Sequence, residues 1–428
     1  MTAGVRWAGD KMKILIANTL YYPDVLGGAE VSTQILAEGL VAAGAEVTVV
    51  CASGTGVDHV TELNGVKIWR LRFANLYWPH RPGKRSRVAK LVWHAIDSYN
   101  VLMARKLRAV VAKEKPDLVS TSNLSCLSVD LWRIAKKAGL PVVHTARDYY
   151  LMCPSSTMLS GNRSCDRQCT LCACYSGYKR SESEQVDVAI GVSRFVLDKH
   201  LDNGFFTRAT STGVISDCHL PEISEPPETP FRLVKNAVRL GMLGRVSPEK
   251  GVELLVDELM RDTSLNWTLT IGGTGDDAYL ESLKARYNDP RVQFLGHVDA
   301  SSFLHDIDVL VVPSRWNEPF GRVIVEAYAQ GVPVVGANTG GIPEVIEPTS
   351  HLVFDINDPQ SMIGRIHEAI ESLQDPQVHD RLRRYADSFS PDRMVDSYLK
   401  VYRDALKRSA ASTHRPPQLQ STSNKERA

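Results

Sequence analysis

The stretch "IDVLVVPSRWNEPFGRVIVEAYAQGVPVVGA", Ile307 to Ala337, reads as a strand, a helix and a second strand. "IDVLVV" is a short run rich in β-branched residues that stops at Pro313, and "GVPVVGA" closes the stretch in the same way. Between them "FGRVIVEAYA" has the composition of a helix, with Gly321 expected to open it. Two strands joined through a helix lie parallel in one sheet. Two carboxylates, Glu318 and Glu326, bracket Phe320 and Gly321 at the mouth of that helix. Glu318 is expected in the loop and Glu326 about two turns into the helix, roughly 11 Å along its axis.

The same rhythm runs outward in both directions. "KILIANT" is followed by "AEVSTQILAEGLVAAG" and "EVTVVCAS", and later by "DLVSTS", "LPVVHTA" and "DVAIGVS". A Pro-rich stretch, "PEISEPPETP" from Pro221 to Pro230, interrupts the pattern. It then restarts with "RLGMLGRV", "WTLTIGG", "VQFLG", "DVLVVPS" and "VPVVGAN". The expected fold class is α/β, two doubly wound Rossmann-like domains facing each other across a cleft. The expected boundaries are 1–225 for the first domain, 226–395 for the second, 396–410 for a C-terminal helix and 411–428 for a polar, disordered tail. Ligands of such sheets bind in loops after the strands.

Bulk properties narrow the function. The chain has 428 residues, 43% apolar and 23% charged, and a net charge of +1, so no overall field favours nucleic acid. No apolar run approaches the ~18 residues that a membrane span needs. The N-terminus lacks a signal peptide's apolar core, Met12 reads as a natural start, and the expected location is the cytoplasm. Five of the eight cysteines fall between Cys153 and Cys174. In a large cytosolic chain that clustering points to metal or redox chemistry rather than a disulfide framework.

Three loops carry chemistry. Gly27-Gly28 stands directly before a helix, where backbone amides and the helix terminus suit an anion; a plain turn accounts for the glycines equally well. In "GRVSPEKGVELL", Arg245 ends a strand and Ser247-Pro248 reads as a helix start. Lys250 would then oppose the helix dipole in the first turn. An anion gripped by Arg245 and Lys250 would explain that placement; solvated surface charge is the alternative. Glu318 and Glu326 could each accept from vicinal hydroxyls, and their spacing matches the reach of a nucleotide-sugar from hexose to ribose. Glu326 as an exposed helix acid is the alternative, set against its apolar surroundings in "VIVEAYA".

With "GGAE", the Arg-x4-Lys pair of "GRVSPEKG", "IGGTG", "FLGHV", the Glu-x7-Glu of "NEPFGRVIVEA" and "QGVPVVGANTGGIPEVI", the chain resembles a GT-B fold glycosyltransferase of family 4, a retaining group that uses nucleotide-sugars. The resemblance runs from Met12 to about Arg408. It implies that Gly27 and Gly28, Arg245 and Lys250 hold the diphosphate, with Gly273 of "IGGTG" nearby. Glu318 with the amides of Phe320 and Gly321 would hold the donor sugar, Glu326 the ribose, and His297-Val298 the base. Many relatives carry a His before an Asp-aromatic pair and a Cys-Pro. Here "HTARDYYLMCP" places Arg147 at that His, beside Asp148, and His144 lies three residues away, on the opposite face of a strand. Asp306 and Asp308 fit an Asp-x-Asp metal pattern but sit ahead of a buried strand, so no catalytic metal is expected.

The implied reaction moves a hexose from a nucleotide-diphosphate sugar to an acceptor hydroxyl, with Arg147, Asp148, Arg245, Lys250 and Glu318 as catalytic candidates. Family habit implies an acceptor glycan on a lipid carrier. A non-catalytic nucleotide-sugar-binding protein and a nucleotide-dependent oxidoreductase are the rival readings; the second lacks a dinucleotide fingerprint. Two further expectations come from composition. Phe73, Tyr77, Trp78 and Trp93 among Arg81, Lys84, Arg85, Arg87 and Lys90 suit an anionic membrane surface, with a plain basic loop as the alternative. Cys153, Cys165, Cys169 and Cys172 have the spacing of a structural zinc site, with Cys174 as a substitute. Free thiols, a regulatory disulfide and an iron–sulfur cluster use the same residues.

Overall fold

A computed structural model of the chain describes residues 11–413 apart from Thr55, Pro82, Lys84, Asn162, 220–236 and Thr349. The expected linker Pro221–Pro230 and the tail beyond Thr413 lie outside the described residues. Two Rossmann-like sheets of mainly parallel strands organise the fold. The first runs, edge to edge, Ser211–Val214, Val188–Gly191, Val142–Ala146, Leu118–Thr121, Lys13–Ala17, Glu46–Ser53, Val66–Arg72 and His59–Leu63. All neighbours are parallel except the last pair, an antiparallel hairpin. The second runs Val292–Gly296, Trp267–Gly272, Val238–Leu243, Val309–Val312, Val334–Ala337 and Val353–Phe354, parallel throughout.

Burial on both faces explains why the strands read as unbroken apolar runs. Ile14, Leu15, Ile16 and Ala17 are all buried, as are Val309 through Val312. The quoted stretch is the expected strand–helix–strand unit: Val309–Val312, helix Arg322–Ala329 and Val334–Ala337, the two strands paired in parallel.

The C-terminal helix is longer than expected. It runs Pro391–Thr413, beginning before position 396, and packs on the first sheet. Met394, Val395, Tyr398, Leu399 and Tyr402 are buried against that sheet and helix Gly28–Ala42. Gly39 makes this possible, because a Cβ there would meet the Val395 side chain. The Tyr402 hydroxyl donates to Ser120 Oγ at 2.8 Å, and the Tyr398 hydroxyl lies 3.0 Å from Thr145 Oγ1. The helix therefore ties the chain end back to the first half. Among the described residues no helix is long and apolar enough to cross a membrane.

Candidate functional site

Loops at the carboxyl ends of the two sheets meet. The Tyr149 hydroxyl donates to the Asn317 carbonyl at 2.7 Å, and Ser193 Oγ donates to the Pro319 carbonyl at 2.6 Å. The Arg194 and Phe195 amides, at the start of helix Arg194–Asp202, donate to the Glu344 carboxylate at 2.6 and 2.7 Å. A carboxylate there satisfies orphan amides and complements the helix dipole. Trp316 Nε1 reaches the Thr157 carbonyl at 2.6 Å. Ser164 Oγ lies between the Arg315 carbonyl and the Asn317 amide. The Cys-rich segment thus leans on the loop just ahead of Glu318.

On the second sheet, Lys250 and Glu318 come together, Nζ to Oε1 at 2.5 Å. Their loops follow adjacent strands, so sheet pairing alone brings them close. The Lys250 ammonium also lies 5.3 Å from the Trp316 ring centroid. The Arg315 and Trp316 amides donate to the Glu249 carbonyl, and the Gly341 amide to the Glu318 carbonyl. Gly340, at φ +59°, lets its turn press against the Glu318 backbone where a Cβ would collide. The neighbouring Arg245 is exposed and pairs with Glu249 at 3.1 Å.

Two local expectations are corrected here. Pro248–Lys250 is a short 3-10 turn, and the following helix, Val252–Arg261, starts only after Gly251. Ser247 makes no side-chain cap, and Lys250 stands ahead of that helix rather than in its first turn. The charge is matched by Glu318, not opposed by a dipole. Glu326 is the second correction. Helix Arg322–Ala329 opens at Gly321, φ +99°, so Glu326 lies little more than one turn in.

Glu326 and Phe320 are buried. Burial raises the Glu326 carboxyl above its usual range, opposed by Arg322 and His219. Arg322 Nε is 2.9 Å from Glu326, and the guanidinium reaches toward the Gly28 carbonyl at 3.5 Å. Arg322 joins the first glycine loop to the Glu326 helix, and sequence reasoning missed it. Its signal was present: four residues before Glu326, the spacing of a helical ion pair. Gly27 is shaped by its neighbour, its amide donating to Glu30 Oε2 at 2.9 Å. His297-Val298 follows strand Val292–Gly296, with His297 exposed. Gly273 receives a packing reason: its amide donates to Gly296 at 2.6 Å, and a Cβ would strike the Gly244 carbonyl.

The first-sheet side departs most from expectation. Arg147 is buried, with its guanidinium bonded to the Asp217 carboxylate and 3.4 Å from the Tyr398 hydroxyl. Those partners are needed, because an unpaired buried cation is costly. Asp217 and Tyr398 come from distant segments, and no local pattern pointed to them. Asp148 accepts from Asn123 Nδ2 at 2.6 Å and from the Tyr150 amide at 2.8 Å. Burial pushes its carboxyl up to about 6, opposed by the Tyr150 amide and Lys179, with Glu30 adding to the rise. His144 is a core residue, packed on Trp132 and Phe206 and 2.9 Å from Thr121 Oγ1; burial holds it neutral. Asp308 binds the Arg239 side chain and amide at the start of its strand.

The four cysteines expected to share zinc lie near one another: burial, and then the neighbouring Cys153 and Cys169, push the Cys165 thiol up. Cys169 Sγ accepts the Cys172 amide at 3.4 Å as the cap of helix Thr170–Glu182, and Cys172 Sγ is 3.7 Å from Cys153 Sγ. Cys165 follows Arg163–Ser164, which pairs antiparallel with Leu159–Ser160, and its amide is bonded to the Met158 carbonyl. Among the described residues no three His, Cys, Asp or Glu converge in a metal-holding group.

Residues 237–372 match the family model for glycosyl transferases group 1, and residues 26–208 match that for glycosyltransferase family 4. The chain is 35% identical over 396 residues to an uncharacterized 42.6 kDa protein in the cps region of Klebsiella pneumoniae, covering 92% of this chain and 100% of the relative. It is 25% identical over 181 residues to the O-antigen biosynthesis glycosyltransferase WclY of Escherichia coli, covering 41% of this chain and 50% of that protein. The structure of Anabaena HepE in complex with UDP superposes with a TM-score of 0.65 at 18% identity, over 92% of this chain and 100% of that one. That likeness extends the GT-B architecture over both sheets. Two family models in sequence order, a full-length relative and this shared architecture have one reading: the chain belongs to the family 4 glycosyltransferases.

Proposed function

We propose that this glycosyltransferase moves a hexose from a nucleotide-diphosphate sugar to an acceptor hydroxyl, with retention of configuration, in the building of a polysaccharide or glycolipid. The observation that carries the reading is the Lys250–Glu318 pair at the carboxyl end of the second sheet, facing the Asp148-Tyr149 segment of the first. An arriving diphosphate draws Lys250 from Glu318 and frees that carboxylate to accept from sugar hydroxyls. Arg245, exposed and paired with Glu249, adds a second cation. Glu326, backed by Arg322, accepts from the ribose. As the glycosidic bond to the diphosphate breaks, negative charge grows on the leaving oxygen, and Lys250 and Arg245 stabilise it most in the transition state. Among the described residues we assign no side chain the part of a covalent nucleophile. The acceptor therefore enters on the face the diphosphate leaves, and its proton passes to the leaving diphosphate.

The relatives' names, one in a cps region and one in O-antigen biosynthesis, support a glycan acceptor, and the neighbour bound to UDP supports a nucleotide donor. The test is a panel of UDP-, GDP- and dTDP-sugars, scored for nucleotide-diphosphate release with and without acceptor and for product anomeric configuration by NMR. Acceptor-dependent release with retained configuration is expected. Binding without release would favour a non-catalytic binder, and an inverted product would overturn the mechanism.

A further inference from the structure

Between Phe73 and Lys115 the sequence carries ten Lys and Arg but only two acids, in a chain whose net charge is +1. Neither acid reaches the outer face. Asp97 is buried beneath the Cys126 amide and the Tyr150 hydroxyl, and Glu114 is bonded to Lys67 and Trp69. Of the aromatic residues Trp93 is turned inward, with Phe73, Tyr77 and Trp78 half-buried around it. Trp93 is buried and packs against Phe73 and Tyr77, and Phe73 packs against Trp78. They pack together as a support for this face.

A different set of residues faces outward. On helix Arg87–Ser98, Val88 is 69% exposed, Leu91 44% and Val92 43%. With exposed Ala95 they stand at i, i+3, i+4 and i+7, an apolar stripe on the side opposite buried Trp93 and Asp97. Leu76, Leu102 and Leu171 are likewise exposed. Leu171 belongs to helix Thr170–Glu182, which lies alongside and donates from the Tyr175 hydroxyl to the Leu91 carbonyl at 3.1 Å. Arg87 and Lys90 flank the stripe, and Arg105 and Arg108 continue the charge on helix Val101–Glu114. None of these four cations has a carboxylate partner among the described residues.

We propose that this face docks on an anionic phospholipid bilayer, with the helix Arg87–Ser98 stripe entering the headgroup boundary and the cations pairing with lipid phosphates. An apolar stripe needs an apolar partner, and the unpaired cations need anions; an anionic bilayer offers both in one plane. A second copy would set like charges against each other. A nucleic acid would leave the stripe unmatched. The same helix is tied to the site, because buried Asp97 accepts from Tyr150, two residues past Asp148. Docking would hold the acceptor side of the cleft beside the membrane; this last consequence alone rests on the proposed transfer to a lipid-carried glycan.

The experiment is vesicle flotation of the full chain with phosphatidylglycerol-containing and pure phosphatidylcholine vesicles. Wild type is expected to float with the anionic vesicles and not with the neutral ones. Arg87→Glu/Lys90→Glu and, separately, Leu91→Ser/Val92→Ser should each weaken binding at least about tenfold, with unchanged melting temperature. No binding by wild type, equal binding to both vesicle types, or wild-type binding by both variants would overturn the proposal. So would a dimer that both variants dissociate without any vesicle binding. Nucleotide-diphosphate release in the same preparations reports separately on the transfer reaction.

Discussion

Lys250–Glu318 and Arg147–Asp217 are both ion pairs at the carboxyl ends of strands, yet they are built on opposite plans. In the first, Lys250 is 21% exposed and the partners stand on loops of adjacent strands in one sheet. In the second, Arg147 is 4% exposed, and the returning C-terminal helix adds the Tyr398 hydroxyl. A reachable pair can exchange its partner for a ligand. A sealed pair resists such an exchange, because breaking it leaves a charge without water or a counter-ion. The difference teaches that charge near a cleft is not itself a sign of ligand binding; access decides.

The largest expected effect tests the sealed pair. Arg147→Ala strands Asp217 and should cost about 3–5 kcal/mol of stability, read as a lower denaturant midpoint. A midpoint near wild type, with transfer abolished, would show that Arg147 faces substrate after all and would erase the contrast. Next comes the reachable pair. Lys250→Ala should lower turnover on the order of a hundredfold while leaving the melting temperature close to wild type. Lost folding with retained turnover would reverse the two roles.

The smallest effect sharpens the first-sheet side. The Asp148 carboxyl is held up to about 6, above its ordinary range, so the fold binds its proton more tightly than the unfolded chain does. The stability from this group is full below about pH 4 and is lost as pH rises through about 6. Asp148→Asn should flatten that part of the stability–pH curve, gaining on wild type by on the order of 1 kcal/mol at pH 7. Parallel curves for the two proteins, measured by thermal unfolding from pH 4 to 7, would show that Asp148 is not the titrating group.

Legibility followed the same division. The second half was readable because its site is local: Gly321, Glu318 and Glu326 sit within one strand–helix–strand unit, and Lys250 lies after the neighbouring strand. Even there, the depth of Glu326 was misjudged: the helix opens at Gly321 as expected, and Glu326 stands little more than one turn beyond it. Some signals were present but unread. Asn64-Gly65, with φ of +49° and +77°, is a tight-turn dipeptide between Leu63 and Val66, and it joins the antiparallel edge hairpin. Arg322 was visible as a helical neighbour of Glu326.

By itself, the sequence determined the two parallel sheets, the loops that carry the site and the family, because apolar runs, glycine turns and short motifs act over a few residues. Tertiary structure alone decided which charges remain open. It sealed Arg147 with Asp217 and Tyr398, spent Cys169 on a helix cap, turned Trp93 inward, and left Val88, Leu91 and Val92 outside. Those outcomes depend on partners far away in the chain, Tyr398 lying 251 residues from Arg147. Burial and pairing are properties of where such segments meet, and no local pattern encodes that meeting.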